Sequence, residues 1–175
     1  MELLFSASKI ADKVKNIGMQ ISKEYQSKNL YILAILKGSF MFASDLARNI
    51  SIPFNIDFVK ITTYGNKDMP ETRPVVTLDH KIDIKGKDVL VVDDILDTGH
   101  TLYAFNEMLT SMKPNSLKLC TLLDKSCRRE VDISPDFCGF KINDGFVVGY
   151  GLDYAEKFRG LPQIYVLSEE EIKQG

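Results

Sequence analysis

The sequence predicts an α/β fold, a mostly parallel central sheet flanked by helices, from two observations. Leu30 to Leu36, Val89 to Val92 and Ser116 to Leu123 are short apolar runs of the kind that form strands buried on both faces. The first two lead into apolar residues at helical spacing, Phe40 to Ile50 and Thr101 to Met112, which is the alternation of a parallel βαβ sheet.

The remaining elements follow in order. Ser8 to Tyr25 sets Ile10, Val14, Ile17 and Ile21 on one stripe of an amphipathic helix. Pro53 to Thr62 alternates as a strand, with Phe54, Ile56, Phe58 and either Val59 or Ile61 turned toward apolar neighbours. Thr63 to Pro74 has neither period; with one Gly, two Pro and four charges it reads as a surface loop long enough to serve as a lid. Val75 to Leu78 is a short strand, and Asp83 to Lys87 turns the chain into the central one. Gln163 to Leu167 is the last strand, followed by a short acidic helix from Ser168 to Lys173.

The 175 residues are expected to form a single domain, long enough to bury about 70% of the surface the unfolded chain exposes. A hydrophobic share of 45% and a charged share of 26% are ordinary globular values. A net charge of −2 gives no electrostatic footprint for nucleic acid or an anionic membrane. No apolar run approaches a membrane span, and MELLFSASKI lacks the basic start and cleavage site of a signal peptide. Cys120, Cys127 and Cys138 have no C-x-x-C spacing, and the only histidines are His80 and His100. This argues against a zinc site and for reduced thiols in a cytosol.

The chemistry concentrates at VLVVDDILDTGHT, Val89 to Thr101. Asp93 and Asp94 are expected at the carboxyl end of the strand, where open α/β sheets bind ligands. Thr98, Gly99, His100 and Thr101 then enter a helix, offering backbone N–H groups, two hydroxyls and a favourable dipole to an anion. The acids cannot serve that anion; they suit sugar hydroxyls or a hard divalent cation such as Mg²⁺. A sugar phosphate satisfies both halves. Lys37-Gly38-Ser39, between a strand and a helix, is a second anion cradle, although Gly-Ser before a helix is also routine capping.

VVDDILDTGHT resembles the phosphoribosyl-pyrophosphate (PRPP) motif of the type I phosphoribosyltransferases. That resemblance implies their fold, with a small C-terminal hood over the site: a core over about 1–135 and a hood over about 136–175 with part of the N-terminus. It implies Asp97 as catalytic base, Asp93 and Asp94 on the ribose, and Thr98 to Thr101 on the 5′-phosphate. LKGS, Leu36 to Ser39, is similar to the pyrophosphate loop of the purine enzymes and implies a cis bond between Leu36 and Lys37. Thr63-Tyr64 resembles the start of the flexible catalytic loop. From Asp136 to Arg159, DFCGFKINDGFVVGYGLDYAEKFR resembles the purine hood of hypoxanthine-guanine phosphoribosyltransferases.

The likeness implies Lys125 on purine O6, Phe146 stacked on the base, Val147 reading its edge, and Asp153 beside guanine or Mg²⁺. It places Arg159 on pyrophosphate, one of Arg128 and Arg129 along the site, and Mg²⁺ at Asp93, Asp94 and Asp153. The implied partners are PRPP, a 6-oxopurine and a second or further copies in a homodimer or homotetramer. Two positions depart from common family choices: Asp93 stands where Glu is frequent, and His100, at a tolerant position, is expected to face solvent. The competing expectations are a xanthine-preferring enzyme and a non-catalytic PRPP- or nucleotide-sensing regulator. A phospho-receiver domain fits less well, because two strands precede the acids and the TGHT loop would have no task.

Overall fold

The computed structural model describes residues 1–64, 75–78 and 80–174. In chain order the elements are β1 (Glu2–Phe5), α1 (Ala7–Glu24), β2 (Leu30–Leu36), α2 (Phe40–Asn49), β3 (Phe54–Tyr64), β4 (Val75–Leu78) and β5 (Asp88–Leu96). They continue with α3 (His100–Ser111), β6 (Ser116–Asp124), β7 (Phe137–Lys141), β8 (Phe146–Val148), β9 (Ile164–Leu167) and α4 (Glu169–Gln174). The large sheet has the order β4-β3-β2-β5-β6-β7. All neighbours in it are parallel except β3 and β4.

Alternation along the strands divides the core into two halves. Ile32, Ala34, Leu90, Val92, Cys120 and Leu122 face α1 and α2, while Leu33, Ile35, Val89, Val91 and Leu119 face α3. The predicted stripe of α1 is the buried one, and Ser6 caps the helix by accepting from the Lys9 amide. α3 buries Leu102, Phe105 and Leu109.

Two expectations are corrected and one unassigned element is added. The central strand does not stop at Val92. It pairs on with β6 through Asp93↔Thr121, Ile95↔Leu123 and Leu96↔Asp124, whereas its pairing with β2 ends at Ala34↔Val92. The acids therefore lie within the strand, on a stretch bonded on one side only. Second, Ile56 and Phe58 are exposed, at 37% and 40%, and Val59 is the buried residue of that strand. α2 packs on β2 and β5, and of this face of β3 Phe54 is partly buried against that core while Ile56 and Phe58 are left exposed. Third, Glu2–Phe5, which has no period of its own, is a strand: β1, β9 and β8 make a separate antiparallel sheet. Phe5 of that sheet stacks on Phe140 of β7 at 4.0 Å, joining the small sheet to the large one. None of the described helices is long and apolar enough to cross a membrane.

Phe105 is fully buried between α3 and the sheet. Phe105→Ala is expected to cost about 3–5 kcal/mol, read as a lower urea midpoint.

Candidate active site

One-sided pairing of β5 is what opens the site. β2 turns away at the Leu36–Lys37 peptide, which is cis as the sequence implies. Gly38 then lies against the flank of β5 that β2 has left. A Cβ on Gly38 would come within 1.8 Å of Asp94 Oδ2, so no larger residue fits beside that carboxylate. On the other side Gly151, with φ +100°, sits so close to the Gly38 carbonyl that its own Cβ would fall 2.1 Å from it. The hood, the Lys37-Gly38-Ser39 loop and the acidic strand are thus stacked with only glycines between them. Ser39 is buried and donates to the Ile35 carbonyl at 2.5 Å, which closes the loop onto its strand.

Asp93 and Asp94 are partly buried neighbours; among the described residues Asp93 Oδ1 accepts from the Asp94 amide and Asp94 Oδ1 from the Ile95 amide, each at 3.0 Å. Burial pushes both carboxyls above the usual aspartate range, and for Asp93 the adjacent Asp94 charge adds to it. Such a pair has a standing affinity for a cation or for hydroxyl donors. Among the described residues no group of three or more His, Cys, Asp or Glu is placed to hold a metal. The two adjacent carboxylates suit a hard cation such as Mg²⁺, which would be completed by substrate oxygens and water.

Beyond the acids, Asp97, Thr98, Gly99 and Thr101 line a cavity of about 140 Å³ together with Asp93 and Leu102. Gly99 is the N-cap of α3 with φ +94°, and a Cβ there would strike Ile133 at 2.8 Å. The helix begins at His100 rather than at Thr101. Its imidazole is exposed, as expected, and Nε2 lies 2.7 Å from Glu130 Oε2. The amide of Glu130 also donates to the Thr98 carbonyl, fixing the loop.

Asp97 sits between two cations. Lys125 Nζ is 3.6 Å from Oδ2 and Arg128 Nε is 3.2 Å from Oδ1. The Arg128 contact is not a hydrogen bond, and Asp97 Oδ1, though buried, has no hydrogen-bond partner. Lys125 itself is buried, unlike an ordinary solvated lysine. The sequence expects one of Arg128 and Arg129 along the site; Arg128 is the one that meets the Asp97 carboxylate, and Arg129 lies behind it. Its guanidinium joins the buried Asp124 carboxylate to the Asp97 backbone carbonyl, so it fixes the loop that carries Asp97 to the end of β6.

In the hood, Phe146 is 41% exposed and meets Tyr154 edge-on at 5.2 Å, so one ring face remains open to a planar ligand. Val147, Val148 and Tyr150 are buried, and the Tyr150 hydroxyl donates to Asp45 Oδ2 at 2.5 Å, anchoring the hood to α2. Asp153 is already engaged: Oδ1 pairs with Arg159 Nη2 at 2.7 Å and Oδ2 accepts from the Glu156 amide at 2.9 Å. Arg159 also donates to the Gly151 carbonyl at 2.9 Å, and its Nε is buried without a partner. Lys37 Nζ pairs with Glu156 Oε2 at 3.1 Å, and that ammonium holds the Glu156 carboxyl below the usual range. The side chains of Thr63 and Tyr64, and the predicted lid after them, lie outside the described residues.

The comparisons with known proteins agree with this geometry. Residues 2–155 match the family model described as a phosphoribosyl transferase domain. The chain belongs to that family. It is 44% identical to the hypoxanthine phosphoribosyltransferase of Salmonella typhimurium, over 94% of this chain and 93% of that one. It is 45% identical to the hypoxanthine-guanine phosphoribosyltransferase of Staphylococcus aureus, over 97% of this chain and 94% of that one. A crystal structure of a hypoxanthine phosphoribosyltransferase from Staphylococcus aureus superposes with a TM-score of 0.91 at 44% identity, covering 97% of this chain and 92% of the other. The phosphoribosyltransferase fold predicted from the sequence is therefore the fold of the chain.

Two outcomes follow from this electrostatic layout. Arg129→Ala leaves Asp124 charged and alone in the interior, which is expected to cost about 3–5 kcal/mol in urea unfolding. Asp93→Asn acts in the opposite direction. The unfolded Asp titrates near 3.8, and burial raises that value in the fold, so ionising the group opposes folding once pH exceeds the ordinary range. The asparagine variant is expected to melt higher at pH 7, by about 2–4 °C for each kcal/mol relieved. The gain should shrink toward zero as pH falls below the unfolded value, where the native carboxyl is protonated in both states.

Proposed function

We propose that this phosphoribosyltransferase works in purine salvage, transferring the 5-phosphoribosyl group of PRPP to hypoxanthine or guanine and releasing pyrophosphate, with IMP or GMP as product. The observation that carries the reading is Asp97 beside the buried Lys125 ammonium, with Nζ 3.6 Å from Oδ2, while the other carboxylate oxygen, Oδ1, has no hydrogen-bond partner. A 6-oxopurine presents the complement along one edge, an N7 proton for the acid and the O6 acceptor for the amine. Adenine would bring its amino group to the ammonium, donor against donor.

The other assignments follow from chemistry at each position. Asp93 and Asp94 bind the ribose hydroxyls. The amides of Thr98, Gly99, His100 and Thr101, with the threonine hydroxyls, take the 5′-phosphate at the positive end of α3. Leu36 to Ser39 and Arg159 take pyrophosphate; the arginine offers a planar fork and the lysine a point charge. Phe146 stacks on the base, and the Val147 backbone reads its edge.

Mg²⁺, when bound, supplies neutralisation of the leaving pyrophosphate oxygens. Asp93 and Asp94 would hold it; Asp153, which the sequence resemblance adds to that set, is engaged by Arg159 and the Glu156 amide and is not grouped with them among the described residues. As the C1′–O bond stretches, positive charge grows on the sugar, as in glycoside hydrolysis. The Asp93 and Asp94 carboxylates orient the sugar, and Asp97 takes or shares the N7 proton as N9 forms the new bond. Lys125 meanwhile stabilises the negative charge that gathers on O6. The chain acts as a single catalytic domain; its core extends through β7 rather than ending near residue 135, and the hood is built on β8 and β9 with the recruited β1.

A xanthine preference and a purely sensing role are disfavoured: the relatives carry hypoxanthine or hypoxanthine-guanine names, and the base candidate and hood are both retained. Initial rates with PRPP and Mg²⁺ test the proposal. Hypoxanthine and guanine are expected to exceed adenine by about a hundredfold or more, and Asp97→Asn to lower the rate about 10²–10⁴-fold. A near-native rate in that variant would remove Asp97 from the base role.

A further inference from the structure

The pyrophosphate cations already have an anion of the protein's own. Glu156 Oε2 lies 3.1 Å from Lys37 Nζ and 3.4 Å from Arg159 Nη2, so one carboxylate oxygen bridges the two side chains assigned above to pyrophosphate. The two cations come from different parts of the fold: Lys37 from the loop between β2 and α2, and Arg159 from the hood turn that carries Glu156. Lys37 and Glu156 are 119 residues apart in sequence. The backbone also holds the acid in place. Ala155, Glu156 and Phe158 have φ of +50°, +62° and +73°, a region that L residues rarely adopt, and the Glu156 amide is tied to Asp153 Oδ2 at 2.9 Å.

We propose that Glu156 is an internal counter-anion of the pyrophosphate site, which pyrophosphate must displace to bind and which returns to speed its release. The inference rests on the assignment of Lys37 and Arg159 to pyrophosphate. Displacement is easy because the side chains of Lys37 and Glu156 are 59% and 67% exposed, and the freed carboxylate finds water at once. Only molecules with this ion pair open are fully competent for pyrophosphate, so the apparent affinity is lowered by the open fraction. An exposed pair of this kind changes such an equilibrium by about two- to fivefold. A product that carries several negative charges, held by a lysine and an arginine, would otherwise leave slowly. An acid attached to the site offers those cations a substitute as it departs.

The experiment is calorimetric titration of the full-length protein with magnesium pyrophosphate, repeated with Glu156→Gln, Glu156→Asp and Lys37→Met. Glu156→Gln is expected to tighten binding about two- to fivefold, most at low salt and fading as salt rises. Glu156→Asp, which keeps the charge, is expected to return toward the native value. Unchanged or weaker binding in Glu156→Gln, while Lys37→Met weakens it, overturns the role of Glu156 alone. Binding indifferent to Lys37→Met overturns the pyrophosphate assignment itself and the role of Glu156 with it. An acid that only shaped the turn would give neither the tightening nor its salt dependence.

Discussion

The structure depends on a mismatch in length between neighbouring strands. β5 runs on past the point where β2 leaves it, paired with β6 alone from Asp93 onward. Had β2 continued, its backbone would occupy the space where a ligand meets the two acids. Had β5 stopped with it, Asp93 and Asp94 would hang from a loop. The sheet instead holds both carboxylates on a rigid rail with one flank free, which is what a site that must orient a sugar within a fraction of an ångström requires. The glycines at 38 and 151 follow from that arrangement, because the space between rail, loop and hood admits backbone and nothing more.

Charge is handled in two ways that track burial. Asp124 and Arg129 are an interior pair whose role is fixed geometry: they clamp the Asp97 backbone and have no reason to separate. Lys37 with Glu156 and His100 with Glu130 are exposed pairs, where water competes on equal terms and either partner can leave at small cost. The interior pair thus braces the loop that carries Asp97, and exposed pairs lie at the rim of the site. Asp93 and Asp94 form a third kind, two acids with no cation among their hydrogen-bond partners. Their elevated proton affinity is stability given up in the empty protein for affinity toward what binds.

Much of this was legible in the residues, and the failures share one cause. Buried strands, the helical stripe of α1 and the TGHT turn announce themselves because each is a local pattern of period, capping or small residues. The cis Leu36–Lys37 bond was legible only through family resemblance, since no local pattern in LKGS specifies it. The length of β5 was not legible, because Asp93-Asp94 reads as a strand terminator until β6 supplies the partners. The exposure of Ile56 and Phe58 was hidden for the same reason: alternation shows that two faces differ, not which one a helix will cover. Glu2–Phe5 is too short to show a period, and its partner β9 lies at the other end of the chain.

Arg129 and Glu156 complete that reasoning. In sequence each is one charge in a charged turn, indistinguishable from a solvated face. Their meaning is set by what the fold brings opposite them, a buried carboxylate for Arg129 and a distant lysine for Glu156. The motif residues are the ones proposed to meet the reacting atoms, so chemistry restricts their identity and a sequence can reveal them. Residues that hold or compensate those side chains answer only to geometry, and many residue types could meet it. The grip of this site on its charged product is therefore expected to be set by the second group, while the identity of the reaction belongs to the first.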